Sequence, residues 1–221
     1  MIEAVPLSSQ VHRRLLEEIL SGRRPSGSVL RETELASELN VSRTPIREAL
    51  RRLRADGLVE LQANRSAIVR SLTAEQIVHV YQVREALEGM AAELACPRLR
   101  AADFARLDKL AEAAGRARSP LDVAPFHRFD AELHRLIAER SGNPVLAREI
   151  TRFHDLVQLV RDRVGNLDDC LLAAYDEHLA IIEALRSGNA LAARQAMIEH
   201  IRHSCETGRM CVQQPEAVSH D

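Results

Sequence analysis

The sequence predicts a mainly α-helical chain in two parts: a small N-terminal unit carrying one β-hairpin, and a larger C-terminal all-α antiparallel bundle. Three observations predict it. Aromatic residues are 3% of 221 and Trp is absent, while apolar residues reach 46%, a balance that favours helix over sheet. Strand-like alternation occurs in one place only, near residues 58–69. Charge divides along the same line. Residues 1–72 hold 12 Arg against 9 acidic residues, and the remainder holds 18 basic against 23 acidic, which gives the net −2.

The elements follow in order. Val11, Leu15, Leu16 and Ile19 recur at helical spacing after Leu7-Ser8-Ser9, and Gly22 stops that helix. Gly22 through Ser28 reads as a turn. A short helix carries Leu35, Ala36 and Leu39, and Asn40-Val41 makes a tight turn. Ser42 is placed to cap a third helix with Pro45 in its first turn, where a missing N–H is harmless. Ile46, Ala49, Leu50 and Leu53 line one face of that helix, and Gly57 ends it. Leu58–Leu61 and Ala67–Val69 then form the hairpin around residues 62–65. Three helices and a small hairpin make a winged helix-turn-helix, assigned to residues 1–72.

Thr73 opens the second part, with Gln76 as its capping-box partner. Six helices are predicted, at about 74–97, 101–117, 121–141, 144–165, 168–187 and 190–211. Gly142-Asn143-Pro144 reads as stop, N-cap and first helical residue, and Gly188-Asn189 as stop and cap. This bundle is assigned to 73–212, and the polar residues 213–221 are expected to be a disordered tail.

Several function classes are disfavoured. No apolar run approaches the ~20 residues that span a bilayer, and no secretory signal precedes the cysteines, so a cytoplasmic location is expected. Cys96, Cys170, Cys205 and Cys211 form no CxxC pair and are expected to be reduced. The chain carries no HExxH, GxSxG or P-loop motif and is not expected to be an enzyme.

Two constellations carry chemistry. In Val41-Ser42-Arg43-Thr44-Pro45-Ile46-Arg47, a tight turn feeds a helix whose N-terminus is short, polar and basic, as a major-groove helix must be. Arg43 and Arg47 share a face, and Arg suits guanine O6 and N7. Arg65, at the hairpin tip, is placed to reach a minor groove or a phosphate. In the bundle, Asp130 and His134 project from one helix face, and His178 and His200 lie on two further helices. Three imidazoles and a carboxylate suit Zn, Ni, Fe or Mn without selecting among them. Spacing alone leaves His127 and His203 as competitors.

The run VSRTPIREALRRL followed by GLVEL resembles the head of the GntR family of bacterial transcription regulators. The resemblance implies Ser42 on a phosphate, Arg43, Thr44 and Arg47 on the DNA, and a wing tip at 63–65 that includes Asn64 and Arg65. Thr33 departs from a DNA-contacting Arg of one relative, and Ser66 from a common Gly. Residues 76–207 resemble the FCD ligand-binding domain of the FadR subfamily, through Val83-Arg84-Glu85-Ala86-Leu87-Glu88, DAELH with SGNP, Glu177-His178 and His200-Ile201. That resemblance implies Asp130, His134, His178 and His200 as ligands of a divalent transition metal. It implies a carboxylate-bearing effector beside the metal, a palindromic operator and a homodimer. Arg84 and Tyr81 are candidate effector contacts, with a salt bridge from Arg84 to Glu88 as the competing reading. A metal-dependent hydrolase and a direct metal-ion sensor remain as alternative functions.

Overall fold

The computed structural model describes residues 5–62, 66–161 and 168–213. The chain folds as two compact units. One comprises Met1–Thr73 with His154–Arg163, and the other comprises Ala74–Phe153 with Val164–Asp221.

In the first unit, α1 (Leu7–Leu20), α2 (Glu32–Glu38) and α3 (Arg43–Ala55) surround a core that includes Val11, Leu15, Ile19, Leu35, Ile46, Leu50 and Leu53. The helical spacing of these residues is why each helix buries one face. The turn before α3 takes its shape from Asn40, at φ 51°, a conformation that Asn tolerates better than most residues. Ser42 occupies the N-cap position of α3 with extended backbone, but its side chain makes no cap hydrogen bond. The expected cap is therefore positional only.

The sheet holds one strand more than the predicted hairpin. β2 (Val59–Gln62) and β3 (Ser66–Val69) pair antiparallel as expected, and β1 (Val29–Arg31) pairs with the other edge of β3. β1 has three residues and a single inward side chain, Leu30. That is too short to show alternation, so it carries no strand signal.

The second unit is all helix among the described residues: α4 (Ala74–Ala95), a single 3₁₀ turn at Cys96–Arg98, α5 (Ala101–Arg116), α6 (Val123–Arg140), the first half of α7 (Pro144–Arg161), α8 (Asp168–Arg186) and α9 (Ala190–Gln213). The expected joints hold. Gly142 and Gly188 have φ of 71° and 74°. The Asn143 carboxamide oxygen accepts from the amides of Val145 and Leu146, and that of Asn189 from Ala192. α4 packs along α9 and also against α6. Its small residues Gly89, Ala91, Ala92 and Ala95 are buried. A Cβ at Gly89 would meet Ile198 of α9 at 2.9 Å, so the close approach of α4 and α9 requires glycine there.

α7 belongs to both units. From His154 onward it packs with the first, where Leu156 lies 3.3 Å from the position a Cβ on Gly57 would take. Nothing in the spacing of residues 144–161 distinguishes the two halves. The expected tail beyond 213, the predicted end of α7 at 162–165 and the wing tip at 63–65 lie outside the described residues.

Candidate metal centre and nucleic-acid interface

α6, α8 and α9 bring Asp130, His134, His178 and His200 together inside the bundle. All four are buried, and one donor atom from each lies within 4.8 Å of the others. Asp130 Oδ1 is 3.3 Å from His178 Nε2 and 3.6 Å from His134 Nε2, and His178 Nε2 is 3.2 Å from His200 Nε2. Metal–ligand bonds of about 2.1 Å put neighbouring donor atoms ~3.0–3.4 Å apart, so the spacing fits a first-row divalent ion. His127 is exposed and His203 lies outside the cluster. The two competitors left open by spacing are thus not among the four.

Two carboxylates orient these imidazoles. His200 Nδ1 donates to Glu177 Oε2 at 2.8 Å, and His134 Nδ1 donates to Glu88 Oε2. A carboxylate only accepts, so each ring carries its proton on Nδ1 and offers the Nε2 lone pair to the cluster. Burial lowers the His200 pKa to about 3, and the neighbouring His178 pushes in the same direction. The ring is neutral at pH 7, as a metal ligand must be. Burial acts to raise the Glu177 carboxyl, but hydrogen bonds from His200 and His203 outweigh it and hold the carboxyl below the usual range. Phe129 is fully buried and sets its ring edge-on to His178, with centroids 5.5 Å apart. It forms an apolar wall to the site.

Sequence reasoning named the four candidate ligands, but it gave Glu177 no role and Glu88 only that of a salt-bridge partner for Arg84. Glu177 precedes His178 in the chain yet serves His200, 23 positions on, and no local pattern announces that. Arg84 is 2% exposed and donates from Nε to Glu88 Oε1 at 2.7 Å. Its guanidinium also lies over the Tyr81 ring, 4.9 Å from the centroid. Arg84 and Glu88 therefore make the intrahelical ion pair that competed with an effector contact.

In the first unit, Ser42, Arg43, Thr44 and Arg47 are all exposed at the N-terminal end of α3, as an element that enters a groove requires. Glu32, at the start of α2, accepts from Arg47 Nε at 3.2 Å and from Nη2 at 3.1 Å. Arg52 donates to Ser9 Oγ at 3.0 Å, which ties one of the later arginines to α1. Asn64 and Arg65 fall outside the described residues.

Comparison with known proteins agrees with both halves. Residues 7–69 match the family "Bacterial regulatory proteins, gntR family", and residues 79–203 match the FCD domain. An uncharacterized HTH-type transcriptional regulator of Bacillus subtilis (strain 168), YdhC, is 30% identical over 91% of this chain and 90% of its own. The probable D-xylose utilization operon transcriptional repressor of Paenarthrobacter nicotinovorans is 30% identical over 88% of this chain and 85% of its own. The solved structure of E. coli McbR/YncC covers 94% of this chain and 99% of that one with a TM-score of 0.80 at 23% identity, which speaks for the fold. The chain belongs to the GntR family of bacterial regulators and carries an FCD domain. It is a DNA-binding transcription regulator, not an enzyme. No helix among the described residues is long and apolar enough to cross a membrane.

Proposed function

We propose that the chain is a cytoplasmic, homodimeric member of the FadR subfamily whose affinity for a palindromic operator is set by a small carboxylate-bearing metabolite bound beside a divalent metal. One observation carries this reading: the convergence of Asp130, His134, His178 and His200 in the buried interior of an FCD domain, in the same chain as a DNA-binding head. Asp130 and the three Nε2 atoms hold the metal. The metal supplies open coordination positions to a carboxylate oxygen. Ser42, Arg43, Thr44 and Arg47 contact DNA from the N-terminus of α3, with Asn64 and Arg65 on the wing. Because Ser42 Oγ leaves the first amides of α3 uncapped, those amides are available to a phosphate.

Arg84 joins the cluster through Glu88 and His134. In this reading it meets an effector carboxylate only by releasing Glu88 in part, and Tyr81 supports the guanidinium from below. Metal would then be structural to the pocket and the metabolite would be the signal. The effector acts only to the extent that it prefers one arrangement of the DNA-binding heads over another.

The test is elemental analysis of the full-length protein as purified, followed by DNA titration with and without simple dicarboxylic and hydroxy acids. Roughly one metal per chain, and an acid-dependent change in DNA affinity that His178→Ala abolishes, are expected. Metal-free protein that still responds to an acid would remove the metal from the mechanism. DNA binding that follows free metal with no acid present would favour a direct metal-ion sensor.

A further inference from the structure

We infer that Glu32 is a positioning residue for DNA reading: it grips Arg47 along one edge of the guanidinium so that the neighbouring fork faces a guanine in the major groove. This rests on the head's role as a DNA reader. The geometry has three parts. First, both oxygens of Glu32 bind one guanidinium, at Nε and Nη2. A guanidinium has five N–H groups in a plane. The edge formed by Nε and Nη2 is taken, whereas Nη1 and the outer N–H of Nη2 make no hydrogen bond or ion pair among the described residues. Those two groups form the fork that matches guanine O6 and N7.

Second, the pair is asymmetric in burial. The Glu32 side chain is 8% exposed and that of Arg47 is 44% exposed. An ordinary surface ion pair has two mobile, solvated ends and fixes little. Here the acid is held inside the head, in the first turn of α2, where the helix end favours negative charge. The arginine extends outward from this fixed anchor. The order of Arg47 is therefore established before DNA arrives, and less rotamer entropy is lost on binding.

Third, the neighbour on the same face differs. Arg43 lies one turn earlier and is exposed, and no acid partner binds it among the described residues. The head thus presents one arginine with a fixed aim and one free to follow a phosphate. Discrimination between bases is assigned to Arg47 and its buttress, and sequence-independent grip to Arg43.

The test uses the full-length protein and a randomised duplex DNA library. The wild type is expected to enrich a guanine at one position of each half-site. Arg47→Lys keeps the charge and the reach to Glu32 but lacks a planar fork, so it should lose that guanine while the head stays folded by circular dichroism. Glu32→Gln should relax preference at the same position by about tenfold, with affinity for random duplex unchanged within about twofold. Glu32→Asp should restore part of the preference, and Arg43→Ala should weaken all sequences alike. The inference is overturned if Glu32→Gln keeps the guanine, or weakens every sequence equally, or binds more tightly, which would make Glu32 a mask rather than a buttress. Should Glu32→Gln fail to fold, retention of the guanine by Arg47→Lys overturns the inference on its own. A wild type that enriches no sequence would sink the DNA-reading role of the head, and the buttress with it.

Discussion

Among single residues, buried and half-buried polar groups make opposite demands on pH. His200 is held neutral, with its pKa lowered to about 3 by burial. In the unfolded chain it protonates near ~6.5. Between those values the unfolded state binds more protons, so stability rises with pH there and is lost as pH falls from about 6.5 toward 3. Asp155 does the reverse. Its carboxyl is raised to about 6 by burial and by the nearby Asp56, so the folded state binds the extra proton, and stability declines as pH rises from about 4 to about 6. Asp155→Asn should therefore stabilise the protein by about 1–2 kcal/mol at pH 7, after allowance for partial exposure, and by less at about pH 4.5. Urea melts at the two pH values check this, and equal gains at both would refute the assignment. At the candidate metal centre, Glu177→Gln removes the acid that fixes the His200 tautomer. Metal affinity should fall about 10–100-fold with the helical signal intact, as read by competition with a chromogenic chelator. Unchanged affinity would reduce Glu177 to a surface acid.

Where helices and strands end or cross, local geometry decides what is tolerated. Asn143 caps α7 through two amide hydrogen bonds, so Asn143→Ala should cost about 1 kcal/mol in a thermal or urea melt. Gly57 joins α3 to β2 at φ 84°, and a Cβ there would lie 3.3 Å from Leu156 Cδ2. Gly57→Ala should cost about 1 kcal/mol or more, since it adds backbone strain to a tight contact. A neutral outcome would mean that α7 shifts freely at Leu156. Most element boundaries are legible in the sequence because their signals are local: a glycine at a stop, an asparagine at a cap, and apolar residues one turn apart. β1 escapes because three residues cannot show a period. The 3₁₀ turn at Cys96–Arg98 merges into the preceding predicted helix for the same reason, although Pro97 marks the change.

For the molecule entire, the regulator reading makes two further predictions. The protein should sediment at about twice the 24.7 kDa chain mass, since a two-fold operator calls for a two-fold reader. A chain-mass species at micromolar concentration would contradict the dimer. Chelator treatment should lower the melting temperature of protein that carries metal, and the original ion should restore it, because a ligand that binds only the folded state stabilises that state by mass action. A melting temperature indifferent to chelator would indicate that the four donor side chains hold no ion.

The order of residues alone is enough for the class of the fold, most of its elements, and the four side chains that gather in the candidate metal centre. It suffices because helix periodicity, capping and family motifs are written within stretches of a few to twenty residues. Which acid serves which base is a matter of tertiary packing. Glu88 takes both Arg84 and His134, Glu177 turns to His200, Glu32 grips Arg47, and the far half of α7 joins the first unit. A charged side chain is stable inside a protein only where packing delivers an opposite charge or a hydrogen-bonding partner within about 3 Å. That delivery depends on how distant helices meet, which no local spacing records.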